Sequence, residues 1–383
     1  MGAASEAALD ERGLTPLGNP ADFGGGLQQV AERTWAWIQP NGDLGESNAG
    51  LVVGDGGSIL IDTLWDEALT ARMLAAMQPE LERAPIEKLV NTHGDGDHWY
   101  GNRLVDEGAE IVATEAAAAQ MASEPPTMLT RMRPLPKLAG LGATLPLLPG
   151  RERLRGLAGF GAMLEHFDFA ASEPRLPTRT FTGTTSVAVA GRRAEVIAVG
   201  PAHTAGDAVV WLEDVRVCFS GDIVFSGVTP IMWAGPATNW IAALERIAAL
   251  GPETIVGGHG PARGPEVLDE LISYWRFLLD AVPGVSEGAL DGAGAAEAGG
   301  EGRADADRSH SALDLAERIV LSAGYRSGAW GSWRGPERTL VNVALIARER
   351  DGRSAPIGMR ERIGLLAGMG ALRERLEAAG GLR

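Results

Sequence analysis

The stretch Leu89-Val90-Asn91-Thr92-His93-Gly94-Asp95-Gly96-Asp97-His98-Trp99-Tyr100-Gly101-Asn102 joins a short apolar run to a glycine-broken turn carrying two histidines and two aspartates. Such a run reads as a strand, and the turn that ends it lets side chains one and two residues apart face inward together. Gly94 and Gly96 bring no Cβ to crowd that turn. Imidazole and carboxylate are ligands of zinc, manganese and ferrous iron, and a single cation rarely needs so many within six residues. The competing reading, a solvated turn rich in Asp and His, is weakened by the lone histidines far downstream, His203 and His259.

Three further segments belong to the same pattern: Gly200-Pro201-Ala202-His203-Thr204-Ala205-Gly206-Asp207, Phe219-Ser220-Gly221-Asp222 and Ile255-Val256-Gly257-Gly258-His259-Gly260-Pro261. With Thr92-His93-Gly94-Asp95-Gly96-Asp97-His98 they follow, in order, the motifs of the metallo-β-lactamase-fold metallohydrolase superfamily, whose first motif is usually Thr-His-x-His-x-Asp-His. The chain resembles that superfamily over residues 28–262. The resemblance implies an αββα sandwich in which ligands project from strand ends at one edge of two stacked sheets. It also implies two divalent metal ions, zinc by family habit. One would be held by His93, Asp95 and His203 and the other by Asp97, His98 and His259, with Asp222 between them.

The chain departs from the family pattern at Asp95, where most relatives carry a second histidine. Two divalent ions bring four positive charges, and Asp95, Asp97 and Asp222 would cancel three of them. The extra carboxylate is therefore expected to weaken the site as a Lewis acid and to shift its preference toward harder ions, Mn²⁺ or Fe²⁺. Should Asp95 not bind, the first position is weak and one metal remains.

Other residues carry weaker signals. Asp207, four residues after His203, either accepts the second N–H of the His203 imidazole or caps its own turn. Tyr100 follows the ligand run directly, so its hydroxyl is a candidate to meet a substrate oxygen, with plain packing as the alternative. His166 and His310 are not expected to be ligands.

Composition bounds the rest. The chain has 383 residues, 45% of them hydrophobic, enough for one large core and an appendage. A net charge of −16 argues against a nucleic-acid partner. The single cysteine, Cys218, excludes an intramolecular disulfide and reads as a small buried hydrophobe. Residues 1–26 lack the basic start and apolar core of a signal peptide, and no apolar run reaches membrane-spanning length. The expectation is a cytoplasmic protein acting on a small molecule, without nucleic acid or membrane.

Along the chain, periodicity predicts strands at 34–38, 50–53, 58–62, 88–92, 110–113, 185–189, 194–199, 208–212 and 215–219. It predicts helices at 67–77 and 240–250, the latter capped by Asn239 and stopped by Gly251-Pro252. Residues 1–27 read as a poorly ordered N-terminal segment. Residues 120–182 are an insertion with helices near 127–132 and 155–167; it either covers a pocket, with Trp99, Trp233 and Trp240 as aromatic walls, or packs on outer helices. A helix at 263–283 leads to a Gly/Ala/acidic stretch, 284–307, read as a flexible linker. Residues 308–383 form a helical extension that either packs near the site mouth or makes a homodimer contact.

The reaction expected from the resemblance is attack by a metal-activated hydroxide on an ester, thioester, lactone or related acyl bond, with Asp97 orienting the hydroxide. The motif context looks closer to glyoxalase-II-like hydrolases and cyclase-type relatives than to secreted lactamases. Three alternatives stand beside it: an iron-dependent redox enzyme on the same ligands, a non-hydrolytic cyclase or lyase, and a non-catalytic binding protein.

Overall fold

Apolar residues on both faces of the central strands demand cover on both sides, and the chain supplies it as four layers. The computed structural model describes residues 14–132, 134–144, 150–169, 174–283, 312–353 and 357–380. One sheet runs in sequence order: β1 (Gly26–Ala31), β2 (Thr34–Ile38), β3 (Ala49–Val53), β4 (Ser58–Ile61), β5 (Ile86–Val90), β6 (Glu110–Thr114) and β7 (Arg179–Phe181). Its first three pairings are antiparallel and its last three parallel. The second sheet holds β8 (Thr184–Val189), β9 (Arg192–Ala198), β10 (Ala208–Leu212), β11 (Val217–Phe225) and β12 (Thr254–His259). Only β11 and β12 pair in parallel there.

Parallel neighbours need crossovers; β5 reaches β6 through the motif turn and short helical turns at 91–109, and the other crossovers are helical. The helix α1 (Glu67–Leu81) joins β4 to β5, and the segment between β6 and β7 holds α2 (Glu115–Ser123), α3 (Pro126–Met132), α4 (Pro134–Ala143) and α5 (Arg151–Leu164). The helix α6 (Ala237–Leu250) joins β11 to β12 and is followed by α7 (Glu266–Ala281). Val52, Ile61, Val90 and Val112 of one sheet meet Val196, Val210, Val217 and Phe219 of the other in a dry inner core. Met73 and Met77 of α1 cover the outside of the first sheet on Leu51, Leu60 and Leu89. On the outside of the second, α6 and α7 pack with the C-terminal helices: 312–321 (α8), α9 (Ala323–Ser327), α10 (Thr339–Arg350) and α11 (Met359–Ala378). This is the αββα sandwich, with a helical C-terminal region built into one outer layer.

Several expectations change. Of the N-terminal segment 1–27, residues 1–13 lie outside the described residues; beyond them Thr15 is buried and the Leu17 N–H donates to Glu46 Oε1 at 3.3 Å. The strand β1 has mixed burial along its length, which hid it from periodicity. Residues 179–181, read as part of the insertion, are the edge strand of the first sheet. The helix α6 starts at Ala237 after Pro236, so Asn239 lies inside its first turn and is no cap, while Gly251, at φ 69°, ends it as expected. The stretch 284–307 lies outside the described residues. Among the described residues no helix is long and apolar enough to cross a membrane.

The insertion and the C-terminal extension, read separately from sequence, pack on each other. Gly156 of α5 and Gly370 of α11 meet backbone to backbone, and a Cβ on either would strike the other helix. Ion pairs flank this crossing, Arg155 to Glu374 at 2.8 Å and Arg375 to Glu152 at 3.0 Å.

Candidate metal centre

The motif residues gather at one edge of the two sheets. His93 to His98 follow β5, His203 precedes β10, Asp222 lies within β11, and His259 ends β12. Glycines permit the approach: a Cβ at Gly258 would sit on Asp222 Oδ1, and one at Gly94 would meet the Gln120 side chain. All seven residues converge. His93, Asp95 and His203 offer ligand atoms that lie within 4.8 Å of one another, as do those of Asp97, His98 and His259. Asp222 lies between the two sets. Its Oδ1 is 3.1 Å from His98 Nε2, and its Oδ2 is 3.3 Å from His203 Nε2, 3.4 Å from His259 Nε2 and 3.9 Å from His93 Nε2.

The imidazoles are turned toward this common space by bonds on their far sides. His203 Nδ1 faces the Ile231 carbonyl at 2.6 Å, an acceptor only, so Nδ1 carries the proton and Nε2 presents a lone pair. Thr92 Oγ1 donates its one proton to Asp62 Oδ2 at 2.7 Å and is left to accept from His93 Nδ1 at 3.0 Å. His98 Nδ1 meets the same Asp62 oxygen at 3.0 Å. The Nε2 atoms of His93, His98 and His203 are buried without a hydrogen-bond partner, as is Asp222 Oδ1. Buried polar atoms left unpaired in this number are costly, and a bound cation satisfies them together. The field points the same way. Burial lowers an imidazole's pKa, yet Asp222 and Asp95 push His203 up to about 9. His93, buried and beside His98, is pushed down to about 3. The donor set therefore fits metal ions.

Two residues expected at the site do other work. Asp207 does not accept from His203; its carboxylate takes the N–H groups of Ala202 and Thr204 and the Thr204 hydroxyl at 2.7–3.1 Å, which shapes the turn that presents His203. Tyr100 is buried, with its hydroxyl donating to the Glu124 carbonyl at 3.1 Å, and so is spent on packing. Of the three tryptophans offered as pocket walls, Trp99 and Trp240 are fully buried, with indole N–H groups bonded to Gly94 O and Ile223 O. Trp233 does line a cavity.

Two residues were missed. Asp62 receives Thr92 N–H and hydroxyl and His98 Nδ1, and so orients two ligand imidazoles. Its signal was present, an aspartate closing the buried run Ile59-Leu60-Ile61. Arg362, on α11, lies 3.8 Å from Asp95 Oδ1. Nothing in Met359-Arg360-Glu361-Arg362 sets that arginine apart from its neighbour. Burial raises the Asp95 carboxyl, but the adjoining His203 imidazole and the charge of Arg362 outweigh it and hold it well below the usual carboxylate range.

A family model for the metallo-beta-lactamase superfamily matches residues 42–259, more than half of the chain. The chain belongs to the metallo-beta-lactamase superfamily. It carries a His/Asp cluster suited to metal. It is 24% identical over 216 residues to 2,4-dinitroanisole O-demethylase subunit alpha of Nocardioides sp., covering 54% of this chain and 51% of that protein. It is 32% identical over 139 residues to hydroxyacylglutathione hydrolase of Methylobacterium nodulans, covering 31% of this chain and 51% of the relative. The chain thus spans about half the length of these two curated relatives. A metallo-beta-lactamase from Pontibacter korlensis is 19% identical at a TM-score of 0.47, over 65% of this chain and 98% of the other. A metallo-beta-lactamase family protein from Thermus thermophilus is 19% identical at a TM-score of 0.49, over 80% of this chain and 89% of the other.

Proposed function

We propose that this chain hydrolyses an ester, thioester, lactone or related acyl bond of a small, partly apolar molecule. The observation that carries the reading is the set of buried, unpartnered Nε2 atoms facing Asp222, with a cavity beside them. That cavity, of about 730 Å³, is lined by Gln120, Thr204, Met232, Trp233, Arg353 and Arg362 among others. Its Ala, Pro, Met, Leu, Ile and Trp walls suit an apolar body, the arginines and glutamates among them add charge, and Thr204 and Gln120 lie next to His203 and Asp95.

His93, Asp95 and His203 would hold one divalent ion and Asp97, His98 and His259 a second, with Asp222 shared. When bound, such ions acidify a water and polarise an acyl oxygen. Asp97 is fixed for its part by Ser47, whose hydroxyl donates to its carbonyl at 2.5 Å, and its Oδ2 lies 3.5 Å from His259 Nε2. From there the carboxylate would orient the attacking water and accept its proton. The apolar walls would exclude bulk water from the acyl group. A hydrolase among the relatives supports this reading. The iron-redox alternative drew on the unbalanced charge of Asp95, and Arg362 beside that carboxylate weakens its support.

The test is a screen of chromogenic esters, thioesters and lactones with metal-loaded protein, before and after chelation. Hydrolysis abolished by chelator and by Asp97→Ala is expected. Activity indifferent to both would overturn the proposal, and a product lacking added water would favour a cyclase or lyase instead.

A further inference from the structure

Asp95 turns its two carboxylate oxygens to different partners. Oδ2 lies 3.1 Å from His203 Nε2, inside the ligand cluster. Oδ1 points away from it, accepting from Gln120 Nε2 at 2.8 Å with the Arg362 guanidinium 3.8 Å off. Arg362 is itself fastened. It donates to Glu124 Oε2 at 2.9 Å, and its guanidinium lies over the Trp233 ring at 4.8 Å. Glu124 Oε2 also meets Gln120 Nε2 at 3.4 Å, so Asp95, Gln120, Glu124 and Arg362 close a ring. Tyr100 holds the main chain of that ring through the Glu124 carbonyl. Side chains of Asp95 and Arg362 are each only 18% exposed, so solvent screens the pair incompletely.

We propose that Arg362 is a positioning residue for the first metal position, carrying the counter-charge of Asp95 so that this carboxylate acts on a bound ion more nearly as a neutral imidazole would. The inference rests on the metal-centre reading above. A guanidinium stays charged throughout the accessible pH range, so the compensation is permanent. With Oδ1 accepting from Gln120 and facing the Arg362 charge, Oδ2 is left as a single, less basic ligand atom. Hard ions gain more from an uncompensated carboxylate than zinc does, so the arginine favours zinc over manganese at this position. The residue comes from α11, beyond the residues 42–259 matched by the family model. The C-terminal extension therefore completes the site.

Metal-stripped full-length protein, titrated with Zn²⁺ alone and Mn²⁺ alone against a chromophoric chelator, tests this without reference to any substrate. Arg362→Met is expected to shift the ratio of affinities toward Mn²⁺ by about tenfold, the scale on which partners of metal ligands act. Arg362→Lys keeps the charge and should stay near the wild-type ratio. In an Asp95→His background, Arg362→Met should produce no shift toward Mn²⁺. Circular dichroism establishes that each variant is folded. A folded Arg362→Met protein with the wild-type ratio overturns the inference, and so does an equal shift in the Asp95→His background. Wild-type protein that binds neither ion would instead overturn the metal-centre reading itself.

Discussion

Asn342 Oδ1, on α10, accepts the main-chain N–H of Met232 at 2.9 Å. Its Nδ2 donates to the Pro230 carbonyl at 2.8 Å and to the Tyr274 hydroxyl at 2.9 Å, and the residue is fully buried. Between Pro230 and Met232 lies Ile231, whose carbonyl orients His203. The extension thus reaches the ligand cluster a second time, through backbone. Asn342→Leu would leave the Met232 N–H and the Pro230 carbonyl unpaired, each costing on the order of 1 kcal/mol or more, and the Tyr274 hydroxyl with Thr339 alone at 3.4 Å. A loss of about 2–4 kcal/mol is expected from denaturant unfolding, with weaker zinc binding because the His203 anchor loosens.

Asp62→Asn should strike the metal centre while leaving the fold in place. Burial raises the Asp62 carboxyl, and His98 and Thr92 lower it. The charged form is the one that accepts from both Thr92 and His98. An amide N–H facing His98 Nδ1 would push the imidazole proton onto Nε2, the atom needed as a ligand. Zinc affinity measured by competition should fall by about 10- to 100-fold. Unchanged affinity would show that Asp62 does not set the tautomer.

The candidate ligands were readable because each sits in a short, glycine-containing motif whose residue types have one use in common. The sandwich followed from the same motifs and from runs such as Val52, Ile59 and Ile61 on one inner face. What stayed hidden depends on pairings distant in sequence. The Arg362–Glu124 bond joins residues 238 apart, and the Asn342–Met232 bond residues 110 apart. No local pattern marks either. For Asp207 and Tyr100, each left with two readings, the turn-capping and packing readings hold for a related reason: each has a nearby main-chain partner that satisfies it, and proximity in sequence to a candidate ligand says nothing of that.

Gly156→Ala tests whether insertion and extension stand or fall together. The added Cβ would press on the Ala367 carbonyl of α11, which is backbone and cannot swing aside. Overpacking at such a crossing costs about 1–3 kcal/mol. Thermal unfolding should shift down accordingly, and the ratio of Zn²⁺ to Mn²⁺ affinities should move toward Mn²⁺ as α11 carries Arg362 away from Asp95. A variant as stable as wild type would mean that the two helices separate freely.

Glu46 gives a pH dependence whose sign is fixed. It is fully buried, accepts the N–H groups of Leu17 at 3.3 Å and Asp43 at 3.2 Å, and has no cation among these partners. Burial pushes its carboxyl up to about 7 from an ordinary 4.5, against the lowering effect of the Thr15 side chain. The folded state therefore binds a proton that the unfolded chain has already released between those values. This contribution to stability is fully present below pH 4.5 and is lost as pH rises toward 7, a penalty on the order of 3 kcal/mol. Glu46→Gln removes the ionisation at the cost of one accepted hydrogen bond, about 1 kcal/mol. Denaturant unfolding of the pair should thus find the variant more stable by roughly 2 kcal/mol at pH 8, with the advantage gone or reversed near pH 4.5. A difference that does not change with pH would show that Glu46 stays ionised in its buried setting.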